Sequence, residues 1–125
     1  MQKCTGGCHC GRVKIAIEVP DEIVVHRCNC SICRKSGYLH LIVAKDQFSL
    51  LEGEADLVDY RFHTGVACHL FCGFCGIKSF YIPRSHPDSF SVNLNCIDLP
   101  EGVDVTIMDF NGRSWSESRA QLSSD

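Results

Sequence analysis

Cys8-His9-Cys10, Cys28-Asn29-Cys30-Ser31-Ile32-Cys33 and Cys72-Gly73-Phe74-Cys75 place seven thiols in three short clusters. Thiolates this close in sequence can share one metal ion with little strain, because the intervening turn points the sulfurs inward. A structural Zn²⁺ takes four such ligands in a closed tetrahedron. A catalytic one takes three protein ligands and keeps a position open. Seven thiols divide into four and three, which suggests one closed zinc site and one open one.

The pairs Cys8/Cys10 and Cys72/Cys75 lie far apart in the chain, so a shared metal would clip an N-terminal strand to a central knuckle. The binding free energy of such an ion becomes folding free energy, about 10 kcal/mol or more in isolated zinc fingers. Gly6-Gly7 and Gly11 make the first pair ligand-like rather than core-like. On spacing alone, Cys28/Cys30 can equally partner Cys72/Cys75.

Cys28, Cys30 and Cys33 offer three thiolates within six residues, with Arg34 and Lys35 nearby to favour thiolate over thiol. Three sulfurs leave a position for water, a small thiol or a further side chain. Cys68, His69, Cys96 and His26 are the candidates for closing it. The same trio without a permanent metal would be a redox dithiol. Cys4 and Cys68 have no paired neighbour and read as small buried hydrophobes. His63 and His69, on apolar strands, read as core histidines.

Ten cysteines in 125 residues need an explanation. A disulfide framework is the plain alternative, yet Met1-Gln2-Lys3-Cys4 carries no apolar signal segment. Such clusters in a reducing, cytoplasmic setting read as metal or redox sites. Lys and Arg number 12 against 15 Asp and Glu, a net charge of −3, and the cations are scattered. That balance disfavours nucleic acid as a partner. No apolar run approaches the roughly 20 residues needed to span a bilayer. Oligomeric state is not legible.

These thiols need strands and tight turns to position them. Val13, Ile15, Ile17 and Val19 alternate with Lys14, Ala16 and Glu18, the pattern of a half-buried strand. Further strands are expected over 23–26, 39–44, 48–51, 57–63, 66–71, 77–82, 89–95 and 103–110. The third cysteine pair falls in a strand–turn–strand knuckle whose Gly73 and Gly76 permit φ > 0. Only 31–36 and 114–121 look helical, and 122–125 read as a frayed tail. Turn signals every eight to twelve residues or so mark an all-β sandwich or barrel. With 45% hydrophobic residues, a single domain over 1–125 is expected.

The three clusters, in this order, resemble the glutathione-dependent formaldehyde-activating enzyme family, also called the centromere protein V/Gfa domain. The residues that carry the likeness are Gly7-Cys8-His9-Cys10-Gly11, Cys28 to Gly37 and Phe71-Cys72-Gly73-Phe74-Cys75-Gly76, and it covers roughly 4–117. Ser79 to Asp88, Asn95-Cys96-Ile97-Asp98 and Phe110-Asn111-Gly112 look closer to the centromere protein V branch. The resemblance implies a compound β-sandwich with zinc-ribbon-like knuckles. It implies structural zinc at Cys8, Cys10, Cys72 and Cys75, and a second zinc at the catalytic Cys28, Cys30 and Cys33. Cys96 departs from the formaldehyde branch and is a candidate fourth ligand there.

The function expected is that of a zinc-dependent carbon–sulfur lyase with two Zn²⁺ per chain, acting on a small-thiol adduct of an aldehyde, the thiol being of the glutathione type. Arg34, Lys35 or Arg84 would hold a substrate carboxylate. The alternative is a non-catalytic zinc-binding module for protein or chromatin interaction.

Overall fold

The computed structural model describes residues 1–62, 65–83, 86 and 88–110. The expected helix over 114–121, the tail over 122–125, His63 and Arg84 lie outside them. Among the described residues the architecture is all-β, with one short α-helix and three single-turn 3₁₀ helices.

Strands β1 (Gln2–Gly7), β2 (Lys14–Val19) and β5 (Phe48–Glu52) form an antiparallel sheet with β2 in the middle. A larger sheet has the order β10 (Asp104–Phe110), β3 (Glu22–Cys28), β4 (Leu39–Ala44), β9 (Ser89–Asn93), β8 (Phe80–Tyr81). All its pairings are antiparallel except β3 with β10, which run parallel from Glu22↔Asp104 to Cys28↔Phe110. The ribbon of β6 (Leu57–Tyr60) and β7 (His69–Cys72) carries the knuckle. Helix α1 (Ser31–Ser36) sits between β3 and β4, and its end is closed by the Gly37 N–H donating to the Cys33 carbonyl.

Val13, Ile15, Ile17 and Val19 are all buried, as their alternation requires. They join Ile23, Val25, Leu41, Val43, Phe80 and Val92 from the larger sheet in one apolar cluster. Phe48 spans the sheets, stacked on Phe90 with ring centroids 4.2 Å apart.

Two expectations change. A strand over Gln2–Gly7 is present where none was expected. Gly6 serves it by close approach, since a Cβ there would lie 2.0 Å from the Cys96 carbonyl oxygen. The strand expected over 77–82 shrinks to Phe80–Tyr81. The backbone before it is used in the knuckle: Cys72 N–H donates to the Ile77 carbonyl and Gly76 N–H to that of Cys72. Gly76 has the positive φ (77°) this turn needs, whereas Gly73 does not adopt one.

Candidate metal centres

Cys8 and Cys10 lie in the turn between β1 and β2, Cys72 ends β7, and Cys75 lies in the knuckle turn. Their four sulfurs all fall within 4.8 Å of one another. Cys10 Sγ is 3.6 Å from Cys8 Sγ and 3.6 Å from Cys72 Sγ. Zn–S bonds of about 2.3 Å would place tetrahedral sulfurs about 3.8 Å apart, so this donor set fits one such ion. The surroundings favour the thiolate at Cys10 and Cys75, whereas Cys72 is pushed up. The backbone amide and side chain of Arg12 lower Cys10, and the amides of Cys10 and Ile77 bring Cys75 down to about 6. Val13 N–H points at Cys8 Sγ at 3.2 Å. The Arg12 guanidinium also lies 4.0 Å from the Phe74 ring centroid, covering the knuckle from outside.

The second set is Cys28 at the end of β3, Cys30 at the N-cap of α1, and Cys33 in the helix. Strand end and helix start are joined by only two residues, Asn29 and Cys30, so the chain reversal itself gathers the sulfurs. They too lie within 4.8 Å of one another. Cys30 N–H donates to Cys28 Sγ at 3.4 Å. Hydrogen bonds from the Cys28 and Cys33 thiols hold Cys30 far below the usual thiol range. Those same bonds push Cys28 and Cys33 up, with burial adding to both. Cys28 and Cys33 are buried and Cys30 is half-buried. Three soft donors thus converge here, a set suited to a soft or borderline metal.

None of the proposed closing ligands joins this trio. Cys68 Sγ faces the Val66 carbonyl, His69 Nδ1 faces Lys78, Cys96 Sγ lies 4.0 Å from the Lys78 carbonyl, and His26 meets the Phe110 ring edge-on. Cys96, the fourth ligand expected from the sequence, is half-buried in the turn that follows β9. The residue that does reach the trio is His40 on β4, its Nε2 3.0 Å from Cys33 Sγ. Its Nδ1 lies 3.0 Å from Ser91 Oγ and 3.1 Å from Tyr81 Oη. Burial, then the nearby Lys78 charge, lowers His40 to about 3. The ring is neutral; when Cys33 is a thiolate, as metal binding requires, it can only accept, so Nε2 then carries the hydrogen and Nδ1 accepts from a hydroxyl. Sequence reasoning missed His40 because one polar residue in an apolar strand carries no spacing signal.

Behind His40 the wall is polar and aromatic. Tyr38 Oη donates to the Ser91 carbonyl at 2.7 Å, and Tyr38, His40 and Tyr81 pack ring against ring. In front, a cleft of about 570 Å³ is lined by Cys28, Cys33, Asn29, Arg34 and Tyr38 among others. Gly37 and Asn95 also line a neighbouring cleft of about 740 Å³ that reaches Cys8. Arg27, at the mouth, is tied to Asp109 at 2.9 Å. Arg34 forms no ion pair among the described residues.

All ten cysteines are free thiols. Among the described residues no helix is long and apolar enough to cross a membrane.

A crystal structure of a Rhodobacter sphaeroides protein superposes on this fold with a TM-score of 0.68 and 32% sequence identity, covering 82% of this chain and 99% of that one. The model of the family described as glutathione-dependent formaldehyde-activating enzyme matches residues 3–113. With both cysteine sets assembled inside that span, the chain belongs to the glutathione-dependent formaldehyde-activating enzyme family.

Proposed function

We propose that this chain is a zinc-dependent enzyme of the carbon–sulfur lyase class, interconverting a small thiol plus an aldehyde with their S-hydroxyalkyl adduct. The observation that carries the reading is a three-sulfur cluster facing a cleft, beside a separate four-sulfur cluster. Four sulfurs satisfy a tetrahedral ion and three do not, so the two sets have different work. Cys8, Cys10, Cys72 and Cys75 hold a structural zinc. Cys28, Cys30 and Cys33 hold the catalytic one.

A zinc ion on three thiolates is a soft Lewis acid with a position left for exchange, and it favours the thiolate form of an incoming thiol. The chain's own residues do the rest. Cys28 and Cys33 form the cleft wall at which the thiol's sulfur arrives. His40 holds Cys33 in place through Nε2–H and fixes the geometry of the trio. Arg34, exposed at the cleft and without an ion-pair partner among the described residues, is placed to take a substrate carboxylate through its planar fork. That fits a peptide-like thiol such as glutathione. In the synthetic direction the thiol gives up its proton, its sulfur electron pair forms the S–C bond, and the carbonyl oxygen takes up a proton to become the adduct's hydroxyl. Ten free thiols suit a reducing compartment such as the cytoplasm, with the whole chain acting as one domain.

The deciding experiment joins metal counting with exchange spectroscopy. Native mass spectrometry of freshly purified protein should give two zinc ions per chain. NMR with ¹³C-formaldehyde and glutathione should then show enzyme-accelerated exchange between free and adduct carbon. Two zincs without accelerated exchange would leave a non-catalytic zinc module, and one zinc would make the trio a thiol switch.

A further inference from the structure

Lys78 is buried, at 9% exposure, in the segment that leaves the knuckle toward β8. Its Nζ donates to His69 Nδ1 at 2.6 Å and lies over the Tyr81 and Tyr38 rings, 3.9 and 4.9 Å from their centroids. These partners are an imidazole lone pair and two π faces; it has no carboxylate partner among the described residues. An ammonium withdrawn from water carries a steep desolvation cost unless an anion compensates it. Burial lowers Lys78 to about 8, and the nearby Cys33 and Cys30 sulfurs act against that shift. Tyr38 and Tyr81 also pack against His40, which touches Cys33, so the cation lies behind the same wall that supports the trio.

We infer that Lys78 is a positioning residue of the three-cysteine centre, a buried counter-cation held in place by His69, Tyr38 and Tyr81 to balance the charge gathered there. The inference rests on the reading that the trio binds a divalent metal. Three thiolates and a divalent ion leave one net negative charge, and a fourth, thiolate ligand would make it two. Each step is easier beside a fixed positive charge in a low-dielectric surrounding. Lys78 therefore strengthens metal retention at this centre, and helps it accept an anionic fourth ligand, without being a ligand. The four-cysteine centre has its own cation, Arg12, on Cys10 and is served separately.

The test is chelator competition on zinc-loaded protein, resolving the two ions, for wild type, Lys78→Met and Lys78→Arg. Lys78→Met keeps length and removes charge; Lys78→Arg keeps charge. The zinc of the three-cysteine centre should be held roughly 10–100-fold more weakly in Lys78→Met, the range seen when outer-shell partners are removed, and regain affinity in Lys78→Arg. The four-cysteine zinc should be unchanged in both. Equal affinity of Lys78→Met and wild type overturns the assignment. So does equal weakening by both substitutions, which would make packing the cause. If Lys78→Met does not fold, Lys78→Gln, which retains a polar group toward His69, carries the same comparison. Wild-type protein with a single zinc defeats the metal reading and this one together. Two zincs untouched by loss of the Lys78 charge defeat this one alone.

Discussion

His40 Nε2 sits 3.0 Å from Cys33 Sγ, on a ring whose other nitrogen is engaged by Ser91 and Tyr81. The sulfur therefore receives a neutral, directed N–H rather than a mobile proton. Such partners orient a ligand and reduce its electron donation. Replacing His40 by Leu should leave Cys33 a stronger donor. In Co²⁺-substituted protein this appears as a shift of the sulfur-to-cobalt charge-transfer band to longer wavelength. An unchanged band would mean that His40 does not bear on the ligand.

Cys30→Ser and Cys75→Ser should part company. Cys30 is half-buried, at the start of a six-residue helix, so a serine there keeps the fold while removing a soft donor. The expected outcome is loss of the second zinc and of exchange activity, with the melting transition largely kept. Cys75 belongs to the set that ties the turn after β1 to the knuckle after β7. Structural zinc contributes folding free energy, about 10 kcal/mol or more in finger peptides, so Cys75→Ser should lose cooperative unfolding. Circular dichroism melts with metal counts on both variants give the answer. A stable Cys75→Ser protein, or an active Cys30→Ser one, would reverse the assignment.

Phe48 offers a check on the core that positions both centres. Its ring stacks on Phe90 at 4.2 Å and packs on Phe80 at 4.8 Å, joining the smaller sheet to β8 and β9. Phe48→Ala should cost about 3 kcal/mol, the low end for this truncation because the ring is only partly buried. Denaturant unfolding measures it, and a loss within error of zero would mean that the sheets are held together elsewhere.

The parts of this molecule legible in the sequence are those written in local spacing. The three cysteine clusters announce the sulfurs because metal ligation demands short, fixed intervals. Ile15, Ile17 and Val19 announce β2 because a strand buries alternate residues. What escaped is set by partners distant in the chain. β1, with Gln2, Lys3, Gly6 and Gly7, has no alternation and owes its form to pairing with β2 along its whole length. The parallel register of β10 on β3 joins segments about 80 residues apart, and only the fold brings them together. His40 and Lys78 were hidden for a related reason: a His amid apolar residues and a Lys after a turn are ordinary, and only their burial, His40 against Cys33 and Lys78 against Tyr38 and Tyr81, makes them informative.

His69 gives the pH prediction. Its ring stacks between Phe62 and Tyr81 and accepts from Lys78, and burial, then the Lys78 charge, lowers it to about 4. Asp59 and Cys30 pull weakly the other way. Unfolded, the same imidazole titrates near 6.5. Between about pH 4 and 6.5 the unfolded chain thus binds more protons here than the folded one, so stability rises with pH across that window and is lost on acidification. His69→Gln keeps an acceptor for Lys78 and removes the titration. The variant should show a shallower fall of melting temperature from pH 6.5 to 4 than wild type, with the two curves parallel from pH 7 to 8. Acid loss from the cysteine centres is common to both proteins and cancels in the difference. Identical slopes below pH 6.5 would mean that His69 takes up its proton in the folded state as readily as in water, and that the Lys78–His69 contact does not hold the ring neutral.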